Sequence, residues 1–301
     1  MRTENGISKE STRAHLAVFS ANVIFAVNFS VVKYVTPSLI RPFGLNVIRV
    51  LVTTILFWLL VFIEKPEKRI RSSDLPLFFL CAITGVAVNQ LLFIKGLSMT
   101  YSTHAALLML STPIMITIVA FYFLSESLSI RRVSGLMLGI CGAAILILGS
   151  RRTGSGTDVL KGNILVLLNA ISYSFYFVLV KPLMKKYSPL QVIRWVFTLG
   201  ALIVIPVGWN EFTSAPWTSY SGMDYAAIAF VVFGATFLAY LLNIYGLQHL
   251  KASSTGSYIY IQPVIATGIA MFWLNEPFTM IKAISALFIF TGVYLVNKRN
   301  D

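Results

Sequence analysis

Ten nearly uncharged apolar runs follow one another through this chain, near 14–36, 43–63, 75–94, 103–124, 131–149, 163–183, 190–208, 224–245, 254–274 and 280–297. About 20 apolar residues carry an α-helix across the hydrocarbon of a bilayer. The runs therefore predict an all-α integral membrane protein of ten transmembrane helices. A membrane β-barrel would show alternating segments of about ten residues, and the runs do not alternate. A water-soluble fold is excluded by composition: 57% of residues are apolar and 12% charged, about half the charge of an average soluble domain. The mean hydropathy is +0.79. The leading segment MRTENGISKESTR is polar, and the run after it has no small-residue cleavage site, so it reads as a retained first span.

A net charge of +13 can point to nucleic acid, but here the bases sit between the runs. Lys and Arg gather at the cytoplasmic ends of membrane helices. With the N-terminus inside, the cytoplasmic segments hold 14 bases (Arg2, Lys9, Arg13, Lys65, Lys68, Arg69, Arg71, Arg131, Arg132, Lys185, Lys186, Lys251, Lys298 and Arg299) and the opposite side holds 6 (Arg41, Lys95, Arg151, Arg152, Lys161 and Lys282). The charge reports topology, with both termini cytoplasmic, and predicts no nucleic-acid partner. Cys81 and Cys141 both fall within apolar runs. Two thiols do not build a structural zinc site, so they read as packing residues; no metal and no cofactor is expected.

A shift of 150 residues aligns 93–148 with 243–298 without a gap. Ile94, Gly96, Leu97, Pro113, Thr117, Ala120, Leu124, Glu126 and Gly142 meet Ile244, Gly246, Leu247, Pro263, Thr267, Ala270, Leu274, Glu276 and Gly292. Upstream, LNVIRVLVT at 45–53 resembles LQVIRWVFT at 190–198, which sets Arg49 opposite Arg194, and Lys33 answers Lys181. The Gly/Ser-rich stretch RRTGSGTD at 151–158 reads as a linker. The domains are then 1–150 and 151–301, five helices each. Five is odd, so the second copy enters the membrane from the opposite side and the halves are inverted. Inverted repeats build alternating-access carriers, with the substrate near the midplane, although an inverted pair also suits a channel.

The combination Pro113, Leu124-Ser-Glu126-Ser-Leu, Gly135, Gly139 and Gly142, with its echo Pro263, Leu274-Asn-Glu276-Pro-Phe and Gly292, resembles the EamA family of the drug/metabolite transporter superfamily. The likeness covers essentially the whole chain. It implies a 5+5 inverted fold and movement of small metabolites, often export of amino acids or related compounds. The small multidrug members of that superfamily depend on a Glu inside their first helix. The first span here, AHLAVFSANVIFAVNFSVVKYVT, contains no acid, which disfavours proton-driven export of lipophilic cations.

All 11 acids lie in loops or at span ends, and the three histidines, His15, His104 and His249, are scattered. Intramembrane carboxylates mark proton relays and cation sites; their absence argues against a carboxylate-centred pump and a membrane hydrolase. Lys33, Arg49, Lys181 and Arg194 lie closer to the hydrocarbon. They read either as a basic cavity mouth for a substrate carboxylate or as side chains that snorkel to the interface.

Polar and aromatic residues recur on single helix faces. Asn169, Tyr173 and Tyr176 fall at i, i+4, i+7, and Ser254, Tyr258 and Gln262 at i, i+4, i+8 just before Pro263. Asn28, Asn89, Gln90, Thr112, Tyr240 and Asn243 complete the candidate cavity set. Such groups do not face lipid, because an unsatisfied polar group there costs several kcal/mol; they face a neighbouring helix or a wet cavity. Pro113 and Pro263 read as mid-helix prolines that each free a carbonyl, as hinges or as fixed bends. Gly135, Gly139 and Gly142 form a close-packing face, within one chain or between two. Glu126 and Glu276 sit before Ser129 and Thr279, which are placed to cap the following helices, so each acid reads as a turn element or a gate, a membrane's thickness apart.

The expected protein is a multi-pass plasma-membrane carrier, not an enzyme. It would move a small polar or zwitterionic metabolite outward, as a monomer or homodimer in the lipid bilayer. A carrier of sugars, nucleotide-sugars or phosphorylated metabolites is the alternative; a non-transporting enzyme or receptor would need a catalytic cluster or an added domain.

Overall fold

A computed structural model describes residues 4–62, 69–124, 130–152, 156–250 and 258–297. Within them the secondary structure is helical, with no strand. Eight stretches are long and apolar enough to cross a membrane: α1 (Glu10–Val35), α2 (Pro42–Phe62), α3 (Ser72–Met99), α4 (Ser102–Phe123), α5 (Ile130–Gly149), α6 (Asp158–Lys186), α7 (Pro189–Thr213) and α8 (Gly222–Gly246). Two shorter apolar helices follow, α9 (Tyr258–Trp273) and α10 (Met280–Val296). Each overlaps one predicted run, and local chemistry sets several starts. Pro42 and Pro189 open α2 and α7, where a missing N–H costs nothing. The Ser188 hydroxyl accepts from Gln191 N at 3.2 Å. Ser221 and Asp224 form a reciprocal capping box at the start of α8.

Exchanging α1–α5 for α6–α10 preserves the major packing pairs. The extensive pairs α5·α10, α2·α7 and α4·α9 map onto themselves. The pair α1·α8 maps onto α6·α3, and α1·α9 onto α6·α4. Side-chain bonds fix relative direction: the end of α1 meets the end of α3 through Lys33 and Thr100, but the start of α8 through Tyr34 and Asp224. The repeat mates α3 and α8 therefore run in opposite directions.

Glycines allow the closest of these contacts. A Cβ on Gly135 would lie 2.6 Å from the Gly292 carbonyl oxygen, and one on Gly292 would lie 2.6 Å from Gly139 N. The α5 glycine face is thus used inside the chain, against α10. A Cβ on Gly208 of α7 would lie 2.3 Å from the Phe43 carbonyl oxygen of α2.

Three features depart from a simple helix reading. Pro113 is not the kink of a continuous helix: α4 stops at Met109, turns through Leu110 and Ser111, and restarts at Thr112. Its ring therefore sits in the first turn of a new segment, where its lack of an N–H removes no bond. Pro263 likewise lies in the first turn of Ile261–Trp273, directly after a 3₁₀ turn over Tyr258–Tyr260. The third departure is a pair of π-helical segments, Ile83–Ala87 in α3 and Phe230–Leu238 in α8. The 150-residue shift carries the first onto 233–237, inside the second. A π turn widens the backbone and leaves carbonyls for side chains. Ser172 Oγ donates to the Thr84 carbonyl at 2.8 Å, and Thr236 Oγ1 to the Val231 carbonyl at 2.7 Å.

Candidate functional site

The α6 face predicted from spacing lies along the π segment of α3. Asn169 Nδ2 donates to the Asn89 carbonyl at 2.7 Å. The Tyr176 ring covers Gly85, where an added Cβ would come within 2.4 Å of it. Tyr173 and Tyr176 pack with ring centroids 5.7 Å apart. Tyr240 of α8 lies within electrostatic reach of both. Its ring meets Phe197 of α7 at 5.6 Å and Phe25 of α1 at 6.4 Å, both edge-on. Four aromatic rings, from α1, α6 and α7, thus stand near Tyr240.

Polar groups from α2 and α3 adjoin this box. Asn46, Arg49 and Thr53 stand at i, i+3, i+7 on one face of α2 and are all buried. Asn46 Nδ2 donates to the Gln90 carbonyl at 3.1 Å, and Arg49 Nε to Thr236 Oγ1 at 3.0 Å. Several polar atoms here are buried without a hydrogen-bond partner: Asn46 Oδ1, Arg49 Nη1, Thr53 Oγ1, both amide atoms of Gln90, and Asn169 Oδ1. Asn28 Oδ1 in α1, with Ser111 Oγ and Thr112 Oγ1 at the α4 break, are in the same condition.

Other predicted residues serve elsewhere. Tyr258 Oη lies 3.0 Å from His15 Nδ1, and Gln262 Nε2 donates to Asn22 Oδ1 at 2.7 Å; both tie α9 to the first half of α1. Asn243 is half-buried in α8. The Lys33 ammonium donates to the carbonyls of Leu97, Ser98 and Thr100 at 3.4, 3.1 and 2.7 Å, which offsets the partial negative charge at the C-terminal end of α3. Lys181 is exposed, 5.9 Å from the Phe177 ring centroid. Arg194 is 0% exposed, so it does not snorkel. Its Nη1 donates to the Phe57 carbonyl at 3.4 Å, and its guanidinium stands 5.2 Å from the Trp58 ring centroid.

Glu276 works across the chain and not on the helix that follows it. Thr279 Oγ1 accepts from Lys282 N at 3.4 Å, which leaves the carboxylate for α4. Its oxygens accept from Ser102 N, Thr103 N and Thr103 Oγ1 at 2.7, 3.1 and 2.8 Å. The turn that aims it depends on Asn275, at φ 53, a left-handed conformation that Asn tolerates well. Thr100 Oγ1 donates to Asn163 Oδ1 at 2.5 Å, and the Lys282 ammonium lies 4.7 Å from the Tyr101 ring centroid. The α3–α4 turn is therefore clamped from α1, α6 and the α9–α10 connection. Glu126 and Ser254 lie outside the described residues.

A second polar pairing was not anticipated. Asp224 Oδ1 accepts from Tyr34 Oη at 2.6 Å. Asp74, 150 positions earlier, accepts from Tyr187 Oη at 2.7 Å and forms an ion pair with Lys186 at 2.6 Å. Extending the shift upstream of residue 93 reveals the two Asp as mates; their tyrosine partners belong to other helices and carry no local signal. The first pair joins α8 to α1 at the clamp's end of the bundle, and the second joins α3 to α6 at the other. Tyr34→Phe and Tyr187→Phe are each expected to lower the melting temperature by a few degrees. The double variant should show the sum, because sites this far apart do not couple; thermal unfolding in detergent measures it.

The sequence profile of the EamA-like transporter family matches residues 12–148 and again 160–298. The chain belongs to that family. As a multi-pass membrane transporter it is also similar to curated relatives. It is 24% identical to the uncharacterized transporter YetK of Bacillus subtilis, over 82% of this chain and 76% of the relative. It is 28% identical to a protein of Streptantibioticus cattleyicolor named a probable terminal-alkyne amino-acid exporter, over 77% and 76%. An uncharacterized transporter of Archaeoglobus fulgidus matches at 22% identity over 96% and 99%. One crystal structure superposes with a TM-score of 0.61 over 95% of this transporter and 97% of that chain, at 15% identity, which speaks for the fold alone.

Proposed function

We propose that this transporter crosses the plasma membrane ten times as two inverted halves, residues 1–150 and 151–301. Both termini are cytoplasmic, and it exports amino acids or related carboxylate metabolites by alternating access. The observation that carries this reading is the set of buried, unpartnered polar atoms beside an aromatic box. In hydrocarbon such atoms are stable only when a partner satisfies them, and a zwitterion with apolar bulk supplies donors, acceptors and a face for the rings. The 14-to-6 distribution of bases supports the orientation, and the exporter named in Streptantibioticus cattleyicolor supports the substrate class.

Counterflow in proteoliposomes tests it. Vesicles preloaded with each of a panel of amino acids, sugars and phosphorylated metabolites are diluted into the labelled compound, with and without a proton gradient. Amino-acid exchange is expected in both conditions, because no intramembrane carboxylate is available to make a proton obligatory. Exchange confined to sugars or phosphorylated compounds overturns the substrate class.

A further inference from the structure

Arg49 stands eighth in α2, about 10 Å of helix rise from Pro42, and keeps 5% of its surface exposed. A side chain of this length reaches the interface easily from that depth. It turns inward instead, and Nε donates to Thr236 Oγ1 in the π segment of α8. Among the described residues the one salt bridge joins Lys186 to Asp74, so the Arg49 guanidinium has no carboxylate there. Nη1 is buried without a partner. A buried guanidinium costs several kcal/mol unless it is paired and hydrogen-bonded.

We propose that Arg49 binds the carboxylate of the transported metabolite, an inference that rests on the amino-acid reading above. The acceptors for the other end of a zwitterion are at hand. Asn46 Oδ1 is unpartnered one turn earlier on the same face, and Gln90 Oε1 is unpartnered on the residue to which Asn46 is bonded. Tyr240 lies within electrostatic reach of Arg49 and ties this group to the aromatic box, which takes the apolar part. The repeat mate supplies a contrast: Arg194 is held by the Phe57 carbonyl and the Trp58 ring. The two halves thus use equivalent arginines differently, one for ligand and one for packing.

The test compares L-phenylalanine with L-phenylalaninamide, which differ in the carboxylate alone, as competitors in counterflow of the panel amino acid that exchanges fastest. Wild-type protein is expected to prefer the acid by about tenfold or more, as loss of one charge-assisted hydrogen bond predicts. Arg49→Gln should bring the two within about twofold by weakening the acid and leaving the amide unchanged, on the same arithmetic. Arg49→Lys should retain an intermediate preference, which guards against a Gln variant that does not fold. Arg194→Gln should leave the preference intact. Equal competition by acid and amide in wild type, or a full preference in folded Arg49→Gln, overturns the Arg49 assignment while amino-acid exchange still stands. Wild-type protein that exchanges no amino acid overturns the underlying reading as well.

Discussion

Gly292→Val is expected to leave little protein that extracts from membranes as a single species. A Cβ at this position lies 2.6 Å from the Gly135 carbonyl oxygen, 2.6 Å from Gly139 N and 2.9 Å from Gly139 Cα. All three atoms are backbone of α5, so no side chain can rotate away and the helices must separate. Alanine sets the scale. Replacing a helical Gly with Ala gains about 1 kcal/mol of helix propensity, whereas forcing a methyl into a closed contact costs about 1–3 kcal/mol. Gly292→Ala should therefore be destabilised by about 1 kcal/mol net, and the two further methyls of valine exceed what the seam accepts. Gly268 is the control, because a Cβ there meets nothing within 4 Å; Gly268→Ala should melt at or slightly above wild type. Fluorescence-detected gel filtration after stepped heating reads all three. A Gly292→Val protein that elutes and melts like wild type is incompatible with backbone contact between α5 and α10.

The same glycine shows what was legible in the sequence. Its alignment with Gly142 comes from the chain alone, and so do the apolar runs and the doubling, since length and repetition are local properties. The Gly135, Gly139 and Gly142 face was visible too, but its partner was not, because a small-residue stripe fits α10 and a second copy equally well. The π segments escape for a related reason: i→i−5 bonding leaves no distinct apolar period in runs as uniformly apolar as 83–87 and 230–238. Pro113 and Pro263 stand at helix restarts and not mid-helix, which the chain alone does not reveal because a proline mid-run looks the same whether the helix bends or restarts. For Arg49 and Lys33 the sequence gives depth but not direction. Arg49 turns inward because Thr236 waits 187 positions later, and Lys33 outbids the interface because the end of α3 offers three carbonyls.

Glu276→Ala and Glu276→Gln are expected to separate stability from movement. Ser102 and Thr103 are both 0% exposed, so removing the carboxylate strands two buried N–H groups at the start of α4. Hydrogen bonds to a charged group contribute about 1.5–3 kcal/mol each, and a buried donor left unsatisfied costs about 1–3. Allowing for overlap between the bonds, Glu276→Ala should lose about 3 kcal/mol and yield less folded carrier. Glutamine keeps one acceptor oxygen and stays soluble as a monodisperse species, with about half that loss. It also withdraws the negative charge that lies within electrostatic reach of Lys33 and Lys282. Under the alternating access proposed above, the halves part at this end, and Glu276 is a second-half residue holding a first-half helix. Its bonds therefore belong to the barrier as well as to the fold. Glu276→Gln should accordingly exchange substrate faster per folded molecule than wild type, even as it melts earlier. Earlier melting with unchanged exchange would make the clamp purely structural, and wild-type melting together with wild-type exchange would remove both roles.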